Sequence, residues 1–131
     1  MDLHIEGQFN VIVARGPFNR ELVIAGDKAQ EELDSGLQAS GRWGTMLVFK
    51  DSALATLEAL EEITSILKAR VARGIKPVAV AIVLGQDVEG ARLMQAHYVN
   101  AYANADINVR AFDSEESAVS WLKSELQPAS L

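Results

Sequence analysis

The sequence contains no cysteine. That single absence excludes disulfides, thiolate catalysis and cysteine-ligated zinc together. Long apolar runs are missing as well. The longest, Val78 to Leu84, is far too short to span a bilayer, so no integral membrane segment is expected. The opening residues, MDLHIEGQ, have no basic segment followed by an apolar core, so no secretion leader is expected and the reading is cytoplasmic. Positive charge is in deficit. A formal net charge of −6 repels phosphates and anionic lipid head groups, and nucleic acid is not an expected partner.

What is present suits one globular domain. A chain of 131 residues buries about two-thirds of the surface its unfolded form exposes, enough for a true core. The hydrophobic fraction, 49%, and the charged fraction, 23%, are those of an ordinary water-soluble domain. We expect a single domain over residues 1–126 and a frayed tail over 127–131.

Apolar periodicity divides the chain. Leu3, Ile5, Phe9, Val11 and Val13 alternate on either side of Gly7-Gln8, which predicts a hairpin with a type II′ turn. Gly16-Pro17 breaks the second strand, and Asn19 is placed to cap a helix. Leu22, Ala25, Ala29, Leu33 and Leu37 then recur at helical spacing. TMLVF reads as a short buried strand. Ala53, Leu57, Leu60, Ile63, Leu67 and Val71 form the clearest helical stripe, with Asp51 or Ser52 as its expected cap and Gly74 as its stop. PVAVAIVLG is apolar on both faces, as a parallel strand covered from both sides must be. Asp87 is expected to open a helix with Ala91, Met94, Tyr98, Ala101 and Ala105 inward. INVRAF alternates, and Asp113 with Glu116 has capping-box spacing ahead of a last helix that turns Ala118, Val119, Leu122 and Leu126 inward. The predicted fold is therefore α/β: a mixed, mainly parallel five-stranded sheet covered by about four helices, with PVAVAIVL central and INVRAF nearer an edge.

No constellation for catalysis stands out. His4 and His97 fall in different elements, and Glu58, Glu61 and Glu62 lie on the polar side of an amphipathic helix. Gly85 and Gly90 have the glycine spacing of a phosphate loop, but Ala91 and Arg92 replace its Lys and Ser/Thr, and Asp87 and Glu89 repel phosphate. We expect no catalytic residue, no metal and no cofactor. Ligands of parallel sheets bind at the C-terminal ends of the strands. That rule singles out the loops after Phe49, Leu84 and Phe112, with Asp51, Ser52, Gln86, Asp87 and Asp113 as candidate contacts. Trp43 and Phe18, each in a loop, are further candidates for a ligand or partner.

Three stretches, GPFN, RGIKPVAVAIVL and RAFDSEESAVSWL, resemble the small bacterial SpoIIAA-like proteins, whose STAS fold is that of the anti-sigma-factor antagonists and is related to lipid-carrier folds. The resemblance covers nearly the whole chain, and its motifs are structural. It implies a non-enzymatic regulatory or protein-interaction domain; a homodimer is expected separately, because the alternating edge strand, the opening hairpin and the loop tryptophan Trp43 offer surfaces for self-association. It implies, as the alternative, a carrier or sensor of a small apolar ligand or lipid. In the antagonists the loop after the third strand reads Asp-Ser-Ser-Gly and its second serine is phosphorylated. Here the matching residues are Asp51, Ser52, Ala53 and Leu54. Alanine occupies the acceptor position, so a working phosphoswitch is not expected and Ser52 is disfavoured as a phosphorylation site.

Overall fold

In a computed structural model that describes residues 2–127, strands and helices alternate after an opening hairpin. The order is β1 (Asp2–Glu6), β2 (Phe9–Arg15), α1 (Arg20–Ser40), β3 (Gly44–Lys50), α2 (Leu57–Ala72), β4 (Ala79–Leu84), α3 (Ala91–Asn104), β5 (Val109–Phe112) and α4 (Glu115–Leu126). Residues 128–131, most of the expected tail, lie outside the described residues. The five strands form one sheet in the order β1-β2-β3-β4-β5, antiparallel between β1 and β2 and parallel elsewhere. Gly7 has φ 59 and Gln8 has none of the positive φ values, which matches the expected II′ turn. Every residue of β4 is buried, and β4 lies between β3 and the edge strand β5. The middle strand by position is β3.

Strand order decides where the helices go. Parallel strands added one after another in one direction, with crossovers of one hand, put every connecting helix on the same face. α1, α2 and α3 therefore share a face, and α4 alone covers the other. On the α4 side Phe9, Val11, Met46, Val48, Ala79, Ala81 and Val83 meet Ala118, Leu122 and Leu126. On the three-helix side Ala14, Phe49, Val80, Ile82 and Leu84 meet Leu67, Met94, Tyr98 and Ala101.

Three caps differ from expectation. The helix after β3 does not begin at Asp51 or Ser52. Thr56 caps it, its side chain accepting from the Ala59 amide at 3.1 Å. Residues 52–56 instead form no helical turn and make backbone bonds to both neighbouring loops. Gly16 and Phe18 donate to the Ser52 and Leu54 carbonyls at 3.0 and 2.8 Å, and Ala53 donates to Glu89 at 2.8 Å. Those bonds replace the ones a first helical turn would make. A side chain at Gly16 would meet the Ser52 carbonyl, so glycine is required for this approach. Asp87 does not open α3 either. Gly90, in the left-handed region at φ 75 and pressed against Leu54, precedes it. Before α4 the cap is Ser114 rather than Asp113, and it accepts from Ser117, so the Asp113–Glu116 box does not form.

The buried face of α1 is also turned from the expected one. Ala25 and Ala29 are exposed, and Val23, Gly26, Gln30, Asp34 and Leu37 point inward. The capping role of Asn19 holds, its side chain accepting from Leu22 at 2.8 Å.

Candidate ligand cavity between the first two helices and the sheet

The inward face of α1 explains a void beneath it. A helix that lies over apolar strands fills the layer with large side chains, but here the inward positions include Gly26, Gln30 and Asp34. Ile12 and Ala14 of β2 and Leu47 and Phe49 of β3 are left with little above them. The result is a cavity of about 100 Å³, lined by these residues, by Phe18 and Val23, by Ile63 and Leu67 of α2, and by Tyr98 and Tyr102. Phe49 anchors its wall, edge-on to Phe18 at 5.7 Å and tilted against Tyr98 at 4.6 Å. The Tyr98 hydroxyl donates to the Ala53 carbonyl at 2.6 Å, so that wall is fixed to the loop after β3. Burial raises the Tyr98 phenol far above its ordinary value, helped by Tyr102. Tyr102 is pushed up to about 12, chiefly by burial, with Arg70 opposing and Asp34 adding to the rise. Both rings stay neutral and act as apolar wall.

One end of the cavity is polar. Arg70 reaches across from α2, only 5% exposed. Its guanidinium donates to Asp34 at 2.9 Å, to the Asp27 carbonyl at 3.1 Å, and to the Asp27 carboxylate. Asp34, 1% exposed, also accepts from Gln30 at 3.2 Å and from the fully buried Asn10 side chain of β2. The three elements are thus joined by one polar knot. Burial is the largest influence on Asp34 and raises it to about 6, against the lowering effects of Arg70, Asn10 and Gln30. Two buried atoms in the knot have no hydrogen-bond partner: the Asn10 side-chain oxygen and Arg70 Nε. Beside it a smaller void of about 20 Å³, lined by Gln30, Asp34, Trp43, Arg70 and Tyr102, has room for one water.

Of the residues singled out from sequence, Phe18 alone lines the cavity. Trp43 is not a loop contact. It is buried at 2%, its indole donating to Gln38 at 2.8 Å, because the short connection from α1 tucks it under the helix end. Asp51, Gln86, Asp87 and Asp113 are exposed at the C-terminal edge of the sheet. Asp51, at φ 63, faces Arg15 across 3.4 Å of solvent-exposed surface. Ser52 is 4% exposed, paired through its backbone with Glu89, and its hydroxyl accepts from the Leu54 amide at 3.2 Å. His4 pairs with Glu6 at the hairpin and His97 is exposed on α3. Asn10, Asp27, Asp34 and Arg70 are the residues that reading by apolar stripe misses. The signal for two of them is present: Asp34 continues Val23, Gly26 and Gln30 at helical spacing toward Leu37, and Arg70 continues Ile63 and Leu67.

Comparisons with family models, with curated proteins and with solved structures find no match in any of the three. No helix of the described residues is long and apolar enough to cross a membrane. Among the same residues no group of three or more His, Asp or Glu is arranged to hold a metal ion.

Proposed function

We propose that this chain is a non-enzymatic binding domain that takes up a small apolar molecule between α1 and the sheet, in the manner of a sensor or carrier. The observation that carries the reading is the cavity over Ile12, Leu47 and Phe49, partly covered by a helix whose inward side chains are too small or too polar to fill it. Cavities of similar scale, about 150 Å³ and lined by aliphatic and aromatic groups, stay dry and admit a benzene-sized guest. The resemblance to lipid-carrier folds, the alternative implied by the sequence, supports the same class. In this reading Ser52 is not a phosphoswitch: its hydroxyl is buried and occupied by Leu54.

The reading is tested by titrating purified protein with toluene and following the methyl and aromatic signals of Leu47, Phe49 and Leu67 by NMR. Saturable shifts confined to the cavity lining are expected. Ala14→Leu, which places three further carbons in the cavity, should abolish them. Shifts that are absent from the wild type, or that persist unchanged in Ala14→Leu, defeat the proposal.

A further inference from the structure

The polar end of the cavity is not electrically neutral. Arg70 brings one positive charge to two carboxylates, Asp27 and Asp34, so the knot carries one unbalanced negative charge. Nearby ion pairs do not offset it: Arg73 is taken by Glu31 and Arg20 faces Glu62, while Lys28 and Lys68 on the same helices are exposed to solvent. Asp27 lines the cavity beside Arg70, its side chain about a quarter exposed. Deeper in the knot, on the side chain that donates to Asp34, the Asn10 oxygen is a buried acceptor without a donor. Near neutral pH, where Asp34 gives up the proton that neutralises it at lower pH, a cationic guest would balance this charge.

We propose that the cavity's ligand carries a cationic amine at one end, received by Asp27 at the Arg70–Asp34 knot, with its apolar body over Phe49 and Leu47. This deepens the apolar-ligand reading and rests on it. An ammonium group makes the count of charges even and supplies the donors that the carboxylates accept. A carboxylate head fits poorly. Arg70 Nε has no partner and would attract one, but the guanidinium is already shared by two carboxylates, and a third would leave two unbalanced negative charges under one helix. A hydroxyl head satisfies donors and acceptors and leaves the charge uncompensated. The arrangement therefore ranks guests of equal size as amine over alcohol over acid.

The experiment is calorimetric titration, near neutral pH, with n-hexylamine, n-hexanol and hexanoate, which share a chain and differ in the head group. The amine should bind about tenfold more tightly than the alcohol, the worth of one charge-assisted hydrogen bond, and hexanoate most weakly. Asp27→Asn should remove the amine's advantage over hexanol. Hexanoate binding as tightly as the amine, or an amine advantage that survives Asp27→Asn, overturns the amine proposal while leaving an apolar site. Failure of all three guests overturns the site itself. Should Asp27→Asn fold poorly, the ranking in the wild type decides the matter alone.

Discussion

On the α4 side of the sheet, Val11, Met46, Val48 and Ala81 interlock with Ala118 and Leu122, and the layer is apolar throughout. On the side of α1 to α3, the same strands expose Asn10, Ile12, Leu47 and Phe49 to a helix that answers with Gly26, Gln30 and Asp34. Among the described residues the buried polar side chains, Asn10, Asp34, Thr45, Ser52 and Arg70, all belong to that second face or to the loops at its rim. One helix is held by area removed from water. The other is held by charges and hydrogen bonds whose geometry must be right, and it leaves a void. Apolar burial is non-directional and fills space, whereas a buried ion pair fixes position without filling it. The cavity goes with the second kind of attachment, because a helix held by position can stand off the sheet.

The largest expected effect comes from breaking that attachment. Arg70→Met leaves two carboxylates under α1 without their cation and should cost about 4 kcal/mol in urea unfolding. Adding Asp34→Leu should recover most of the loss, since an apolar pair of similar volume tolerates the site. A cost under about 1 kcal/mol for Arg70→Met would show that the knot does not hold α1.

The contrast between the faces is sharpened by paired truncations. Leu122→Ala on α4, where the side chain is fully buried, should cost about 3 kcal/mol. Val23→Ala, at the cavity wall, should cost about 1 kcal/mol or less, because part of its surroundings is already empty. Equal costs, measured by thermal or urea unfolding, would mean that the two faces are packed alike.

Asp34 gives the second face a pH dependence that the first lacks. Its folded value of about 6 lies above the value of about 3.9 expected unfolded. The folded state therefore binds this proton more tightly, and the stability it contributes is complete below about pH 4 and lost as pH rises through about 6. Between about pH 4.5 and 7 the loss amounts to about 2 kcal/mol. Asp34→Asn should remove that component, read as the difference between the two stability–pH profiles. Parallel profiles would contradict it.

The smallest effect tests where α2 begins. Thr56→Ala should cost about 1 kcal/mol and Thr56→Ser should restore most of it. An unaffected melting temperature would move the cap elsewhere.

Much of this fold was legible because local patterns carry it. Alternation in Phe9 to Val13, unbroken apolarity in Ala79 to Leu84, and the Leu60, Ile63, Leu67 and Val71 stripe specify which segments are strands and helices wherever the chain goes, although Leu57, expected on that stripe, is exposed at the first turn of α2. Their alternation specifies a mainly parallel sheet, and the inward residues of α4 follow from its own spacing. The non-helical path of residues 52–56 was not legible, because it depends on carbonyls and amides offered by Gly16, Phe18 and Glu89, each distant in sequence. Nor was the cavity. Local pattern places an aspartate and an arginine on solvent faces, where isolated charges are most stable. Only the packing of α1 beside α2 over Asn10 brings Asp34, Arg70 and Asp27 within hydrogen-bonding reach. With its partners assembled a buried charge becomes tolerable, and α1 turns Asp34 inward in place of Ala25 and Ala29. Sequence alone determined the elements and their order; the partnership of distant charges, a property of three elements at once, decided which face of α1 is inside and therefore that there is a cavity beneath it.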